Sequence, residues 1–105
     1  MAETAPVKSR DLVIVGLKPL MNYVVACMTL LNAGNEKVCL RARGRHISKA
    51  VDVAEMLRRV FLKDLVVENI NLGTEVHTPP NGRETSVSTI EISLTNPQTE
   101  TQFFK

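Results

Sequence analysis

The sequence predicts a mixed α/β chain whose elements run strand, helix, strand, helix, and then a long two-stranded hairpin. Three observations predict this order: an apolar helix pattern bracketed by Pro19 and Gly34, an alternating run that leads into a second helix pattern, and two β-branched runs separated by TPPNG. With 105 residues, 44% of them hydrophobic and 23% charged, the chain has the composition of one soluble folded domain. Residues 1–9 read as a leader without periodicity, 10–95 as the domain and 96–105 as a tail carrying Phe103 and Phe104.

The first ordered segment, DLVIVG at 11–16, is a short apolar run ending in glycine, as a buried strand that must turn sharply would be. Pro19 suits the first turn of a helix, where its missing N–H costs nothing, and Gly34 suits the residue just past its end. The helix between them, PLMNYVVACMTLLNA, is apolar around most of its circumference, so it calls for cover on more than one side. A second copy of so small a chain is the natural source of that cover.

In EKVCLRAR, Val38, Leu40 and Ala42 alternate with Lys37, Cys39, Arg41 and Arg43, so one face of this strand points to a core and the other carries cations. Strand, helix and strand in succession predict a right-handed crossover with parallel pairing. Ser48 is the expected N-cap of a second helix, KAVDVAEMLRRVFL, with Val51, Ala54, Leu57, Arg58 and Phe61 on one side. LVVENINLGTEVH and RETSVSTIEISL then pair as a hairpin around a proline-rich tip. Ile90, Ile92 and Leu94 face inward there, and the polar distal half projects as an arm.

Net charge is only +2, but it is unevenly placed. Between residues 8 and 49 eight cations stand against Asp11 and Glu36, so this segment carries +6 and the remainder −4. The stretch RARGRHISK, at 41–49, holds five cationic or titratable side chains at a strand-to-helix corner. Strands one and two of a βαβ unit end at the same sheet edge, so Lys18, in the turn after the first, is expected beside Arg43, Arg45 and Lys49. Lys18 is also expected beside unengaged N–H groups at the start of the first helix, a corner that favours anions.

Clustered cations repel, and surface ion pairs contribute at most about 1 kcal/mol, so stability does not account for the cluster. A polyanion does. Guanidinium forks fit phosphate oxygens, and Gly44 lets the backbone turn and approach a ligand. Arg83 adds a cation near the tip of the arm, a slender shape suited to a minor groove. Aromatic side chains for stacking on bases are scarce, which favours the duplex backbone over base reading.

Catalytic chemistry finds little support. His46 and His77 lie far apart with no cysteine or carboxylate at metal-ligand spacing, and Asp52 and Glu55 are acids of the kind helices carry in their first turns. The chain is expected to have no enzymatic activity, metal or cofactor. Cys27 and Cys39 have no CxxC spacing and read as reduced thiols, and no signal peptide or membrane span is legible, which implies a cytoplasmic protein.

Taken together, GLKPLMNYV, TLLNAG, RARGRHISKAVDVAE, RRVFL and GTEVHTPPNGRETSVSTIEI resemble the Alba family of archaeal chromatin proteins across roughly residues 11–95. The resemblance implies a two-layer α+β fold: four strands in a mixed sheet, both helices on one face, and paired hairpin arms in a homodimer. It implies binding to double-stranded DNA, and often RNA, with little sequence preference, and a place on the chromosome or nucleoid. An RNA-centred role, in a ribonucleoprotein or in RNA regulation, is the alternative that the same surface allows.

By resemblance, Lys18, Asn22, Arg41, Arg43, Gly44, Arg45, Lys49 and Arg83 fall at nucleic-acid-binding positions, and Phe61 at the aromatic through which dimers associate along DNA. The family usually places two lysines between the glycine and the proline; here Leu17 occupies the first position. That lysine is the one linked to acetylation control, and its absence removes two cations per dimer, which predicts a salt slope shallower by up to about two. Pairs of paralogues are common in the family, so a heterodimer is a further expectation.

Overall fold

The computed structural model describes residues 11–97. The leader and most of the tail, with Phe103 and Phe104, lie outside the described residues. The chain runs β1 (Leu12–Ile14), α1 (Leu20–Asn32), β2 (Lys37–Arg43), a 3-10 turn (Gly44–His46), α2 (Ile47–Met56), a π-helical turn (Leu57–Phe61), β3 (Val66–His77) and β4 (Thr85–Thr95). These strands form one sheet in the order β1-β2-β4-β3. β1 and β2 are parallel, as a helical crossover requires, while β4 is antiparallel to both β2 and β3.

Alternation along β2 and β4 builds the core. Val38, Leu40 and Ala42 of β2 and Ile90, Ile92 and Leu94 of β4 point to one side, where they meet Val24, Cys27 and Leu31 of α1 and Ala50, Val53 and Leu57 of the second helical segment. Both helices therefore cover the same sheet face. The opposite face holds Arg41, Arg43, Glu91 and the neighbouring serines, threonines and asparagines, with Ile14 exposed at one edge. Cys39 shares that open face yet is only 4% exposed.

Termination of α1 follows its sequence signal. Gly34, at φ +103°, carries the chain out of the helix while its N–H donates to the Leu31 carbonyl and that of Asn35 to the Leu30 carbonyl. Pro19 stands one step before the first helical residue, at φ −60° and ψ 154°. β1 proper is shorter than the apolar run around it, although Val15 still donates to the Arg41 carbonyl at 2.8 Å.

Two expectations for the second helix are corrected. Ser48 is not its N-cap: the 3-10 turn at Gly44–His46 feeds directly into helical geometry at Ile47, so Ser48 lies inside the first turn and caps nothing. The buried stripe is Ala50, Val53, Ala54 and Leu57, with Val51 and Phe61 both 41% exposed. The π turn explains the position of Phe61. Leu62 donates to the Leu57 carbonyl, five residues back, at 2.7 Å, and the extra residue in that turn carries Phe61 off the core side.

From Gly73 to His77 of β3 every residue is exposed, as are Thr85, Ser86 and Ser88 opposite, so the distal hairpin is an arm beyond the helix-covered body. β3 is an edge strand. Its Ile70 and Leu72 pair with Ile92 and Ile90 and so lie on the helix-covered face, yet they are 53% and 80% exposed because neither helix reaches that far across the sheet.

Candidate nucleic-acid interface

β1 and β2 are parallel neighbours, so the turns that follow them emerge side by side at one edge of the sheet. The first turn carries Lys18 and leads into α1. The second is Arg43-Gly44-Arg45-His46 and leads into α2. Gly44, at φ +57°, is where the chain leaves the sheet, and a Cβ there would lie 3.3 Å from Cγ1 of Val87.

Lys49 joins the two turns. From the first turn of α2 its Nζ donates to the carbonyl of Gly16 at 2.7 Å and to that of Lys18 at 2.8 Å. The same ammonium lies 5.9 Å from the ring centroid of Tyr23, within cation–π range. Tyr23 binds the loop from beneath: its hydroxyl oxygen accepts the N–H of Gly16 at 2.9 Å and that of Lys18 at 3.0 Å. The 16–18 turn is thus held through two donors and two acceptors, leaving the Lys18 side chain exposed on a fixed backbone.

This geometry narrows the expectation of unengaged N–H groups at that corner. The N–H groups of Gly16 and Lys18 are engaged by the Tyr23 hydroxyl, so they do not form a backbone anion site. Tyr23 was legible only as an apolar member of α1; a buried tyrosine must place its hydroxyl somewhere, and that requirement is the signal that could have found it. Lys49 directs two of its donors inward and acts first as a tie between turns.

Arg45 is exposed in the 3-10 turn, and Asn22 is exposed in the first turn of α1, its N–H donating to the Pro19 carbonyl. Arg83 lies in the exposed loop at the far end of the arm, where its N–H donates to Oδ1 of Asn81 at 3.0 Å and Gly82 takes φ +83°. It is well separated along the arm from the Lys18 corner. Arg41 and Arg43 lie on the open sheet face, and each has an acidic partner. Arg41 is held by Glu91 through Nε at 2.8 Å and Nη2 at 2.6 Å, and Arg43 reaches Glu75 at 2.9 Å. Phe61 stands beside Val60, which is 56% exposed, so this pair forms an apolar surface at the end of the second helical segment.

Among the described residues no group of three or more His, Cys, Asp or Glu side chains is arranged to hold a metal ion. A shallow groove lined by Ile47, Leu72, Gly73, Thr74, Ser88 and Thr89 lies between the start of α2 and the base of the arm, and none of these side chains carries a charge.

The arrangement defines a class: a two-layer α+β domain with a cationic corner at the ends of its parallel strands and a projecting β arm. A family model described as Alba matches residues 11–74. The DNA/RNA-binding protein Alba of Methanothrix thermoacetophila is 54% identical over 84 residues, which is 80% of this chain and 93% of that protein. The protein of the same name from Methanocella arvoryzae is 44% identical over 91 residues, 87% of this chain and 95% of its own. Among solved structures, Alba from Thermoplasma volcanium superimposes with a TM-score of 0.74 at 46% identity, covering 80% of this chain and 98% of that one. ALBA1 from Trypanosoma brucei gives 0.71 at 30% identity, covering 86% and 72%. The chain belongs to the Alba family.

Proposed function

We propose that this protein binds nucleic acid through the phosphate backbone and acts on double-stranded DNA as an architectural protein with little sequence preference. The observation that carries the reading is the tie made by Lys49, which fixes the turn bearing Lys18 to the helix that follows Arg43, Gly44 and Arg45. Cations on a rigid ledge lose less conformational freedom when they meet phosphates, and backbone contacts position a protein without reading sequence. The relatives named DNA/RNA-binding protein Alba support the same class of ligand.

Binding takes place as a dimer that coats and compacts DNA on the chromosome, in the cytoplasm. The exposed Ile70 and Leu72 support this: they extend the core face beyond the cover of the helices, and a second copy, identical or paralogous, would bury them. Two copies double the corner and the arm, and Phe61 with Val60 provides an apolar contact between neighbouring dimers. RNA is the second ligand, supported by the names of the same relatives, and crosslinking in cells followed by sequencing of the bound polymer measures which one dominates. The direct test of backbone binding is a gel-shift titration at rising salt with the wild type and Arg43→Ala. Affinity that falls with salt and falls again with the substitution supports the reading; affinity indifferent to both removes it.

A further inference from the structure

Arg41 and Arg43 are not free cations. Both lie on the open sheet face, and both are neutralised by carboxylates from the strands that form the hairpin: Glu91 on β4 and Glu75 on β3. Arg41 and Glu91 stand directly opposite in the β2–β4 register. Arg43 reaches farther. Its register partner is Thr89, and the guanidinium passes across β4 to meet Glu75 on the edge strand.

The path of Arg43 crosses the position where Thr89 faces Gly73. A Cβ at Gly73 would lie 2.8 Å from Oγ1 of Thr89, so the hydroxyl occupies the space that a side chain on β3 would fill. The Arg43 and Glu75 side chains are 69% and 55% exposed, so their pair is one that water and ions already screen and that a denser anion can replace.

We propose that Glu75 and Glu91 are specificity-determining residues of the nucleic-acid surface: in the free protein they occupy Arg41 and Arg43, and only a ligand with closely spaced phosphates displaces them. This rests on the nucleic-acid reading above. Lys18 and Arg45 meet the ligand first, and the two arginines are handed from carboxylate to phosphate as it settles on the open face. An isolated anion, or a polymer of lower charge density, engages Lys18 and Arg45 and leaves the two arginines with their carboxylates. Glu75 and Glu91 thus set a threshold on charge density rather than on base sequence.

The test is fluorescence anisotropy of the full chain on a labelled 30-base-pair duplex at fixed salt, comparing wild type, Glu75→Gln, Glu91→Gln, Arg43→Ala and Arg43→Ala with Glu75→Gln, with poly-glutamate as competitor. Glu84→Gln, which alters the charge of the same arm by the same amount, controls for net charge. Glu75→Gln is expected to bind about two- to fivefold tighter than wild type, as release of one exposed pair allows. Poly-glutamate should then reach Arg43 as well, but its affinity should rise by less than that of the duplex, so the bound duplex is no easier to compete off, and the variant should lose most of its gain when Arg43 is alanine. Tightening equal to that of Glu84→Gln, equal tightening with and without Arg43, or weaker binding overturns the proposal. Wild type that binds and carboxylate variants that bind no better leave the nucleic-acid reading standing and remove only this one; wild type that does not bind removes both.

Discussion

The ammonium of Lys49 lies 2.8 Å from the carbonyl oxygen of Lys18, so a cation whose sequence position pointed to the ligand is bonded to the backbone of another. Lys49→Met keeps the aliphatic stem and deletes the donors. Removing two hydrogen bonds from a charged group should lower stability by about 1–3 kcal/mol in urea unfolding. Affinity for duplex DNA should fall by more than one missing charge accounts for, because Lys18 is then carried on a loosened turn.

Tyr23 holds the same turn from below, and Tyr23→Phe removes the acceptor while preserving the ring. With the N–H groups of Gly16 and Lys18 left without their partner, the expected cost is about 1–3 kcal/mol. Amide hydrogen exchange measures it locally: both amides should lose protection while those of Val24 and Leu40 keep theirs.

Phe61 tests assembly separately from folding. At 41% exposure, its truncation opens little of the core, so Phe61→Ala should change stability by less than about 1 kcal/mol. Sedimentation of the protein on long DNA should show shorter cooperative tracts with the dimer intact. A large fall in melting temperature with unchanged tracts would assign Phe61 to the core instead.

The thiols make a prediction with a definite sign. Burial pushes the Cys27 thiol from its ordinary value of 9.0 up to about 12, and burial, helped by Glu91, raises that of Cys39. The folded state therefore keeps protons that the unfolded chain releases, and stability should fall as pH rises from about 9 towards about 12. At pH 8 both thiols should resist alkylation until the chain is unfolded; rapid labelling of the native protein would contradict this.

The element order was legible because each element carries local signals: Gly34 ends α1, alternation marks β2 and β4, and the β-branched runs around TPPNG make the hairpin. Legibility failed where the physics is non-local. That Glu91 faces Arg41 depends on β4 lying between β2 and β3, and nothing in the spacing of residues 41 and 91 encodes it. The Tyr23 hydroxyl is a different case: its partners, Gly16 and Lys18, lie in the preceding turn, and the need of a buried hydroxyl for a partner is a local signal that points to them. The cap at Ser48 was misplaced because a 3-10 turn and an α-helix differ by one hydrogen-bond step, which composition does not resolve.

On the reading proposed above, phosphate binding depends on a ledge that carries Lys18, Arg43 and Arg45. It is probed most directly by the slope of log affinity against log salt for duplex DNA, taken for wild type, Lys18→Ala and Arg45→Ala on two unrelated sequences. The slope should become shallower by about 0.9 for each phosphate that is no longer neutralised, and by the same amount on both sequences. Slopes that match wild type in both variants would contradict a phosphate-binding ledge.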